Sequence, residues 1–252
     1  MPGLVEGKAG LVTGSAGGIG RATALALARE GAAGVLVTDL PSRREDGEET
    51  VRLIEQEGGH AVFVAADVTV GMDCEAIVRR TIEAFGHLDF AHNNAGVSVQ
   101  GSVVDTEEDD WERVLAVNLK GVWLGMKHQI PAMLADGGGS IVNTASLAGL
   151  MAVPSLAAYI ASKHGVVGLT RAGAVEVAND GIRVNCVCPA AIRTPMMDAH
   201  PEERRLELLA PQAMRRFGEP SEVAESVVWL CSDRSSFVTG TALSVDAGAM
   251  AQ

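Results

Sequence analysis

Aromatic side chains are scarce in this chain: they make up 4% of its 252 residues, and tyrosine occurs once, as Tyr159. The core must therefore be aliphatic, and any chemistry that needs a phenol rests on one residue. Cations are also few. There are 20 Lys and Arg against 32 Asp and Glu, a formal net charge of −12. That balance argues against nucleic acid as a partner, because such binding needs clustered cations; it favours solubility instead. No apolar run approaches the roughly 20 residues of a membrane span. Residues 1–8 carry no apolar signal segment, so no membrane partner and a cytoplasmic location are expected.

Cysteine is limited to Cys74, Cys186, Cys188 and Cys231. On a strand, Cys186 and Cys188 would share a face, a poor geometry for a mutual disulfide. With no histidine at metal-ligand spacing, the four read as reduced core thiols, and no metal is expected. The histidines are dispersed; His92 and His164 flank motif residues but have no catalytic partner in sequence, and read as structural.

What the chain does have is regular alternation. Short aliphatic runs at 10–13, 35–38, 61–65, 90–92, 140–144, 183–187 and 242–245 alternate with helical patterns near 18–30, 45–57, 72–85, 108–134, 157–178 and 221–231. Most runs are continuously apolar, as parallel strands covered on both faces require. No linker or repeat interrupts the pattern. Residues 1–252 therefore read as one α/β domain built on an open sheet.

The first strand leads into Gly14-Ser15-Ala16-Gly17-Gly18-Ile19-Gly20 and then into an alanine- and leucine-rich helix. Strand, glycine turn and helix in that order make an anion site, where backbone N–H groups and the positive helix end face a pyrophosphate. The spacing is Gly-x-x-x-Gly-x-Gly rather than the commonest Gly-x-Gly-x-x-Gly. Gly14, Gly18 and Gly20 would allow the tight turn, the close approach of phosphate, and the packing of helix on strand. About twenty residues further on, the second strand ends in Asp39, whose carboxylate suits the adenosine ribose hydroxyls and repels a 2′-phosphate. Arg43 and Arg44 follow Pro41-Ser42 and read as exposed first-turn residues. NAD is thus favoured over NADP.

Tyr159 and Lys163 stand four residues apart in a helical segment, so phenol and ammonium share a face. A phenol with a pKa of about 10 is a poor proton shuttle at neutral pH, and a fixed cation lowers that pKa.

Together these segments resemble the short-chain dehydrogenase/reductase family, NAD-preferring type, over nearly the whole chain, from about residue 8 to 248. The matching elements are the glycine segment 13–20, Asp67-Val68, Asn93-Asn94-Ala95-Gly96, Asn118 within Val-Asn-Leu-Lys, Ser146 within Asn-Thr-Ala-Ser, and Tyr-x-x-x-Lys. The resemblance implies a single doubly wound Rossmann-like domain with a central parallel sheet of about seven strands. It implies a catalytic set of Asn118, Ser146, Tyr159 and Lys163. Tyr159 would be the general acid/base, Ser146 would hydrogen-bond the substrate oxygen, and Asn118 would hold a water linking Lys163 to solvent. Beyond the glycines and Asp39, it places Ser15, Ile19, Asp67, Val68, Asn94, Ala95, Gly96, Pro189, Ile192 and Thr194 on the cofactor, with Tyr159 and Lys163 at the nicotinamide ribose. One departure is Ala190, where the family usually has glycine after the proline.

Substrate contacts are expected from loops beyond the carboxyl ends of the strands. These bring Leu147, Val153 and Leu156 beside Ser146 and Tyr159, with Met196 and Met197 from a lid-like segment at about 190–212. The linings are apolar and offer no obvious arginine clamp, although Arg193, Arg204 or Arg205 could turn inward. The expected substrate is a hydrophobic secondary alcohol or ketone, cyclic or steroid-like. Two alternatives are an NADPH-dependent 3-oxoacyl thioester reductase, which Asp39 disfavours, and a dinucleotide-binding sensor without turnover, which has no need of the Tyr–Lys pair. The resemblance also implies a homodimer or homotetramer paired through the helices that carry Asn118 and Tyr159, with the C-terminal segment 245–248 available to a second interface.

Overall fold

The protein is described by a computed structural model covering residues 2–251. Seven strands form one sheet: β1 (Ala9–Thr13), β2 (Gly34–Asp39), β3 (Ala61–Ala65), β4 (Phe90–Asn93), β5 (Gly139–Thr144), β6 (Ile182–Pro189) and β7 (Ala242–Val245). Their order is β3-β2-β1-β4-β5-β6-β7 and every neighbouring pair is parallel. Parallel neighbours need crossover helices. These are α1 (Gly18–Arg29), α2 (Arg44–Gln56), α3 (Gly71–Phe85), α4 (Glu108–Leu115), α5 (Gly121–Ala135), α6 (Ala157–Val177) and α9 (Pro220–Cys231), with the short α7 (Pro195–Asp198) and α8 (Glu202–Leu209) between β6 and α9.

The period of two along each strand divides the core into two layers. Val12, Val35, Val37, Val142 and Val187 pack with Leu27, Val223 and Val227 of α1 and α9. Their strand neighbours Leu11, Leu36, Ile141, Cys186 and Cys188 pack on the other face, with Ile77, Met126 and Val166 of α3, α5 and α6. A sheet covered on both faces explains why the strands carry little polarity. It also explains the small aromatic content, since branched aliphatic side chains fill both layers.

The winding direction reverses between β1 and β4, and a crevice opens above their C-terminal ends, where ligands bind in open α/β sheets. One expected helix differs from the sequence pattern. The stretch 108–134 is divided by a π turn at Ala116–Lys120 that carries Asn118. Such wide turns recur at functional sites. The other expected helices agree within a few residues, while α7 and α8 were not expected as helices.

Candidate active site

A cleft of about 1010 Å³ lies above the carboxyl ends of the strands, lined by the glycine turn, Asp39, Asp67, Ser146, Tyr159 and Lys163 among others. Its floor is the turn between β1 and α1. Gly14 and Gly18 have φ of +63° and +53°, a region costly for residues with a Cβ. At Gly20 the constraint is space: a Cβ there would lie 2.2 Å from the Gly14 carbonyl oxygen. Gly20 is accordingly buried under the turn and does not line the cleft.

Ser15 does not turn its side chain toward the cleft. Its hydroxyl turns into the protein, donating to Val12 O at 2.7 Å and accepting from the Thr38 N–H at 2.9 Å. It ties β1 to β2 and offers its side chain to no ligand. Asp39, by contrast, faces the cleft with its carboxylate fixed by two main-chain donors, Ala16 N at 3.0 Å and Leu40 N at 2.9 Å. Arg44 stays outside. Arg43, however, lines the cleft beside Asp39 while paired with Asp46 at 2.8 Å.

Asn94 joins the two strands at the crevice. Its side-chain amide donates to Thr13 O (3.0 Å) and Gly14 O (3.2 Å), and the Thr13 hydroxyl accepts from the N–H groups of Asn94 and Ala95. Thr13 belongs to the matching glycine segment, but its role is set by partners that lie 81 and 82 residues away. Asp67, Val68, Ala95, Gly96, Pro189, Ile192 and Thr194 all line the cleft. The Asp67 carboxylate accepts from the N–H and hydroxyl of Thr69.

Asn118 does not reach the cleft with its side chain. Fully buried, it accepts from Val97 N (2.8 Å) and donates to Val97 O (2.9 Å) and Ser162 Oγ (3.1 Å). Both N–H groups of the amide are thus engaged, and its oxygen keeps one lone pair. Asn118 and Lys163 nevertheless flank the same backbone: a Cβ on Gly96 would meet Asn118 Oδ1 at 3.3 Å and Lys163 Nζ at 3.6 Å.

Ser146, Tyr159 and Lys163 stand together on one wall. Ser146 has extended backbone and caps the short turn Leu147–Gly149, its Oγ accepting from Ala148 N at 3.1 Å. The neighbouring Ser146 hydroxyl pulls the pKa of the Tyr159 phenol down. Burial opposes this and prevails, so the phenol titrates above its ordinary value. The ammonium of Lys163 is not aimed at the phenol. It donates to the Thr144 carbonyl at 2.7 Å and lies 5.6 Å from the tyrosine ring centroid. Desolvation lowers Lys163 to about 8. The expectation that the cation by itself depresses the phenol pKa is therefore corrected: burial acts on both groups and favours their neutral forms.

Behind them, His92 is fully buried and its Nε2 lies 2.8 Å from Thr144 Oγ1. That hydroxyl in turn donates to Asn94 Oδ1 at 3.3 Å, so His92 Nε2 carries the proton. Burial, then the charge of Lys163, lowers His92 to about 3, which keeps it neutral.

The residues expected on the substrate, Leu147, Val153, Leu156, Met196 and Met197, all line the cleft with Ser146 and Tyr159. Ala190 lines it too, and its φ is not positive, so replacing the family's glycine costs no backbone strain. Of the three candidate arginines, Arg193 pairs with Glu219 and Arg205 with Asp198, away from the cleft. Arg204 turns inward, and His200 joins it on the lining. His200 was missed because nothing in its sequence neighbourhood distinguishes it from a surface histidine.

A family model described as Enoyl-(Acyl carrier protein) reductase matches residues 14–250. Cyclohexanol dehydrogenase of Acinetobacter sp. (strain SE19) is 43% identical over 249 residues, covering 98% of this chain and 96% of its own. 3-Oxoacyl-[acyl-carrier-protein] reductase FabG of Thermotoga maritima is 39% identical over 244 residues, covering 97% of this chain and 98% of its own. The crystal structure of levodione reductase is similar with a TM-score of 0.92 at 36% identity, covering 98% of this chain and 99% of its own.

Proposed function

The chain belongs to the short-chain dehydrogenase/reductase family, and from that premise we propose that it is an NAD(H)-dependent oxidoreductase interconverting a secondary alcohol and a ketone on a hydrophobic, compact substrate. The observation that carries this reading is the meeting of Ser146, Tyr159 and Lys163 in one apolar cleft with the glycine turn and Asp39. A relative that acts on cyclohexanol and a structural neighbour named for reducing levodione support an alicyclic substrate.

The residues fit a nicotinamide dinucleotide. The positive φ of Gly14 and Gly18 and the space kept free at Gly20 leave main-chain N–H groups open to a pyrophosphate. Asp39, fixed by two N–H donors, is placed to accept from ribose hydroxyls and to disfavour a 2′-phosphate. When bound, the dinucleotide supplies the hydride acceptor or donor. The chain's own residues manage the proton. Tyr159, neutral at neutral pH, is a proton donor to the substrate oxygen in the direction of ketone reduction; in alcohol oxidation its phenolate takes the proton. Ser146 holds the same oxygen and stabilises its developing negative charge. Lys163, fixed on the Thr144 carbonyl, keeps a donor beside Gly96 at the nicotinamide-ribose end, and Asn118 positions Val97 and hence the backbone that Lys163 faces. The segment at about 190–212 acts as the lid of one domain spanning 1–252.

Trp123 and Val175, on α5 and α6, are 45% and 82% exposed. We assign these faces to contacts between copies in a cytoplasmic homodimer or homotetramer.

The second reading, an NADPH-dependent 3-oxoacyl thioester reductase, draws on the FabG relative and on Arg43 at the cleft. One titration separates the two: nicotinamide fluorescence with NADH and with NADPH, for wild type and Asp39→Ala. Tight NADH binding that relaxes in the variant supports the proposal. Preference for NADPH moves the thioester reductase to first place.

A further inference from the structure

The lid side of the cleft is not wholly apolar. Arg204 of α8 lines it with only 15% of its side chain exposed. The side chain reaches across to the loop before α6, where Nη2 donates to the Pro154 carbonyl at 2.8 Å. Nη1 pairs with the exposed Glu207 at 2.7 Å, so the charge is already partly balanced. Nε is shielded from solvent and has no acceptor. Nε of Arg205, away from the cleft, is shielded and unpartnered in the same way, so the donors that Arg204 has left for a ligand are the second N–H of Nη1 and the second N–H of Nη2. The loop it grips has an uncommon backbone: Ser155, also on the lining, has φ of +61°, which a residue with a Cβ seldom adopts. That conformation is held from the other side by Gly101 N donating to Ser155 O at 3.0 Å. His200 shares the lining, and burial together with the neighbouring guanidinium lowers its pKa. A neutral imidazole can donate or accept.

We propose that Arg204 and His200 form an oxygen-recognising subsite on the lid side of the cleft, so that the substrate is a ketone or alcohol bearing a second, uncharged oxygen acceptor. Glu207 already answers the guanidinium charge, which is why a neutral acceptor fits better than a carboxylate. This inference rests on the reading of the cleft as a site for an alcohol or ketone, and deepens it. Two polar ends then fix the orientation of the substrate: Ser146 and Tyr159 at the reacting oxygen, Arg204 and His200 at the other.

The test uses two ketones of nearly equal shape, 4-acetylcyclohexanone and 4-isopropylcyclohexanone, which differ by one oxygen in place of a methyl. Their binding to the intact protein is measured by calorimetry in the presence of NAD⁺, which cannot reduce a ketone. The acetyl compound is expected to bind wild type about 10-fold or more tightly, the effect of one hydrogen bond to a charged group. Arg204→Met should erase most of that preference while leaving the isopropyl compound within about 2-fold, and Arg204→Lys should restore part of it. His200→Leu should lose a smaller share. Equal affinities in wild type would overturn the subsite, as would failure of both ketones to bind. Equal weakening of both ketones by Arg204→Met would also overturn it, by assigning Arg204 to holding the lid alone. Oxidation of NADH in the presence of each ketone is read separately. Discrimination without turnover keeps the subsite and rejects the oxidoreductase; turnover without discrimination does the reverse.

Discussion

Lys163 gives its hydrogen bond to the main-chain carbonyl of Thr144, 2.7 Å away, and not to the phenol of Tyr159, whose ring centroid is 5.6 Å from the ammonium. A buried ammonium with a single carbonyl partner sits at about 8 instead of its ordinary 10.5. Because the folded-state pKa is depressed, the stability associated with this group is complete above about 10.5 and is lost as pH falls through 8. The stability of wild type relative to Lys163→Met should therefore rise between pH 8 and 10.5, by up to about 3 kcal/mol. Denaturant midpoints of both proteins across that range check it; a flat difference would contradict the shift.

Tyr159→Phe removes the only phenol in the chain. Loss of general acid–base catalysis should lower kcat by about 10²–10⁴-fold. Binding of NADH should change little, since the glycine turn and Asp39 are untouched. Ser146→Ala should lower kcat as well, and should also push the phenol pKa higher, moving the alkaline limb of the oxidation rate upward.

His92 titrates near 3 in the folded protein against an ordinary 6.5. Its contribution to stability is present above 6.5 and is lost as pH falls toward 3. The chain from His92 through Thr144 to Lys163 makes it a positioning residue for the lysine. His92→Gln should flatten the acid side of the stability profile between those values and shift the pH dependence of turnover, measured by acid titration of the far-ultraviolet circular dichroism and by rate profiles.

Gly20→Ala places a methyl 2.2 Å from the Gly14 carbonyl oxygen, a clash with backbone that no side-chain rotation relieves. Overpacking of this kind costs about 1–3 kcal/mol. The glycine turn should open, with NADH affinity falling at least about 10-fold in fluorescence titration, an outcome of order 1.4 kcal/mol.

Gln212 fastens the far end of the segment that carries α7 and α8. Nearly fully buried, it accepts from Ala191 N at 2.7 Å and donates to the Arg216 carbonyl. Gln212→Ala strands a buried N–H, a loss of about 1–3 kcal/mol. The expected result is a raised KM with a smaller change in kcat, together with faster proteolytic cleavage between residues 195 and 212.

Local pattern decided much of this molecule. Continuous aliphatic runs fixed where the strands lie, because a sheet buried on both faces admits little else. The order of strand, glycine turn and helix located the floor of the cleft, and Asp39 followed from strand length. The Tyr159–Lys163 pair was legible because four residues of helix place two side chains on one face whatever surrounds them. Other features depend on segments brought together only by folding. Ser15 turns inward because β2 lies alongside and offers the Thr38 amide. Asn118 is engaged by Val97 and Ser162, from 21 and 44 residues away. Lys163 points to the Thr144 carbonyl because β5 ends beneath α6, and the pKa values of both lysine and tyrosine follow from that burial. Arg204 enters the cleft because the Pro154 carbonyl, 50 residues distant, receives it. Sequence spacing carries the residue types and local periodicity that chemistry needs; the direction of each donor and the dielectric around each charge are properties of the packed tertiary structure.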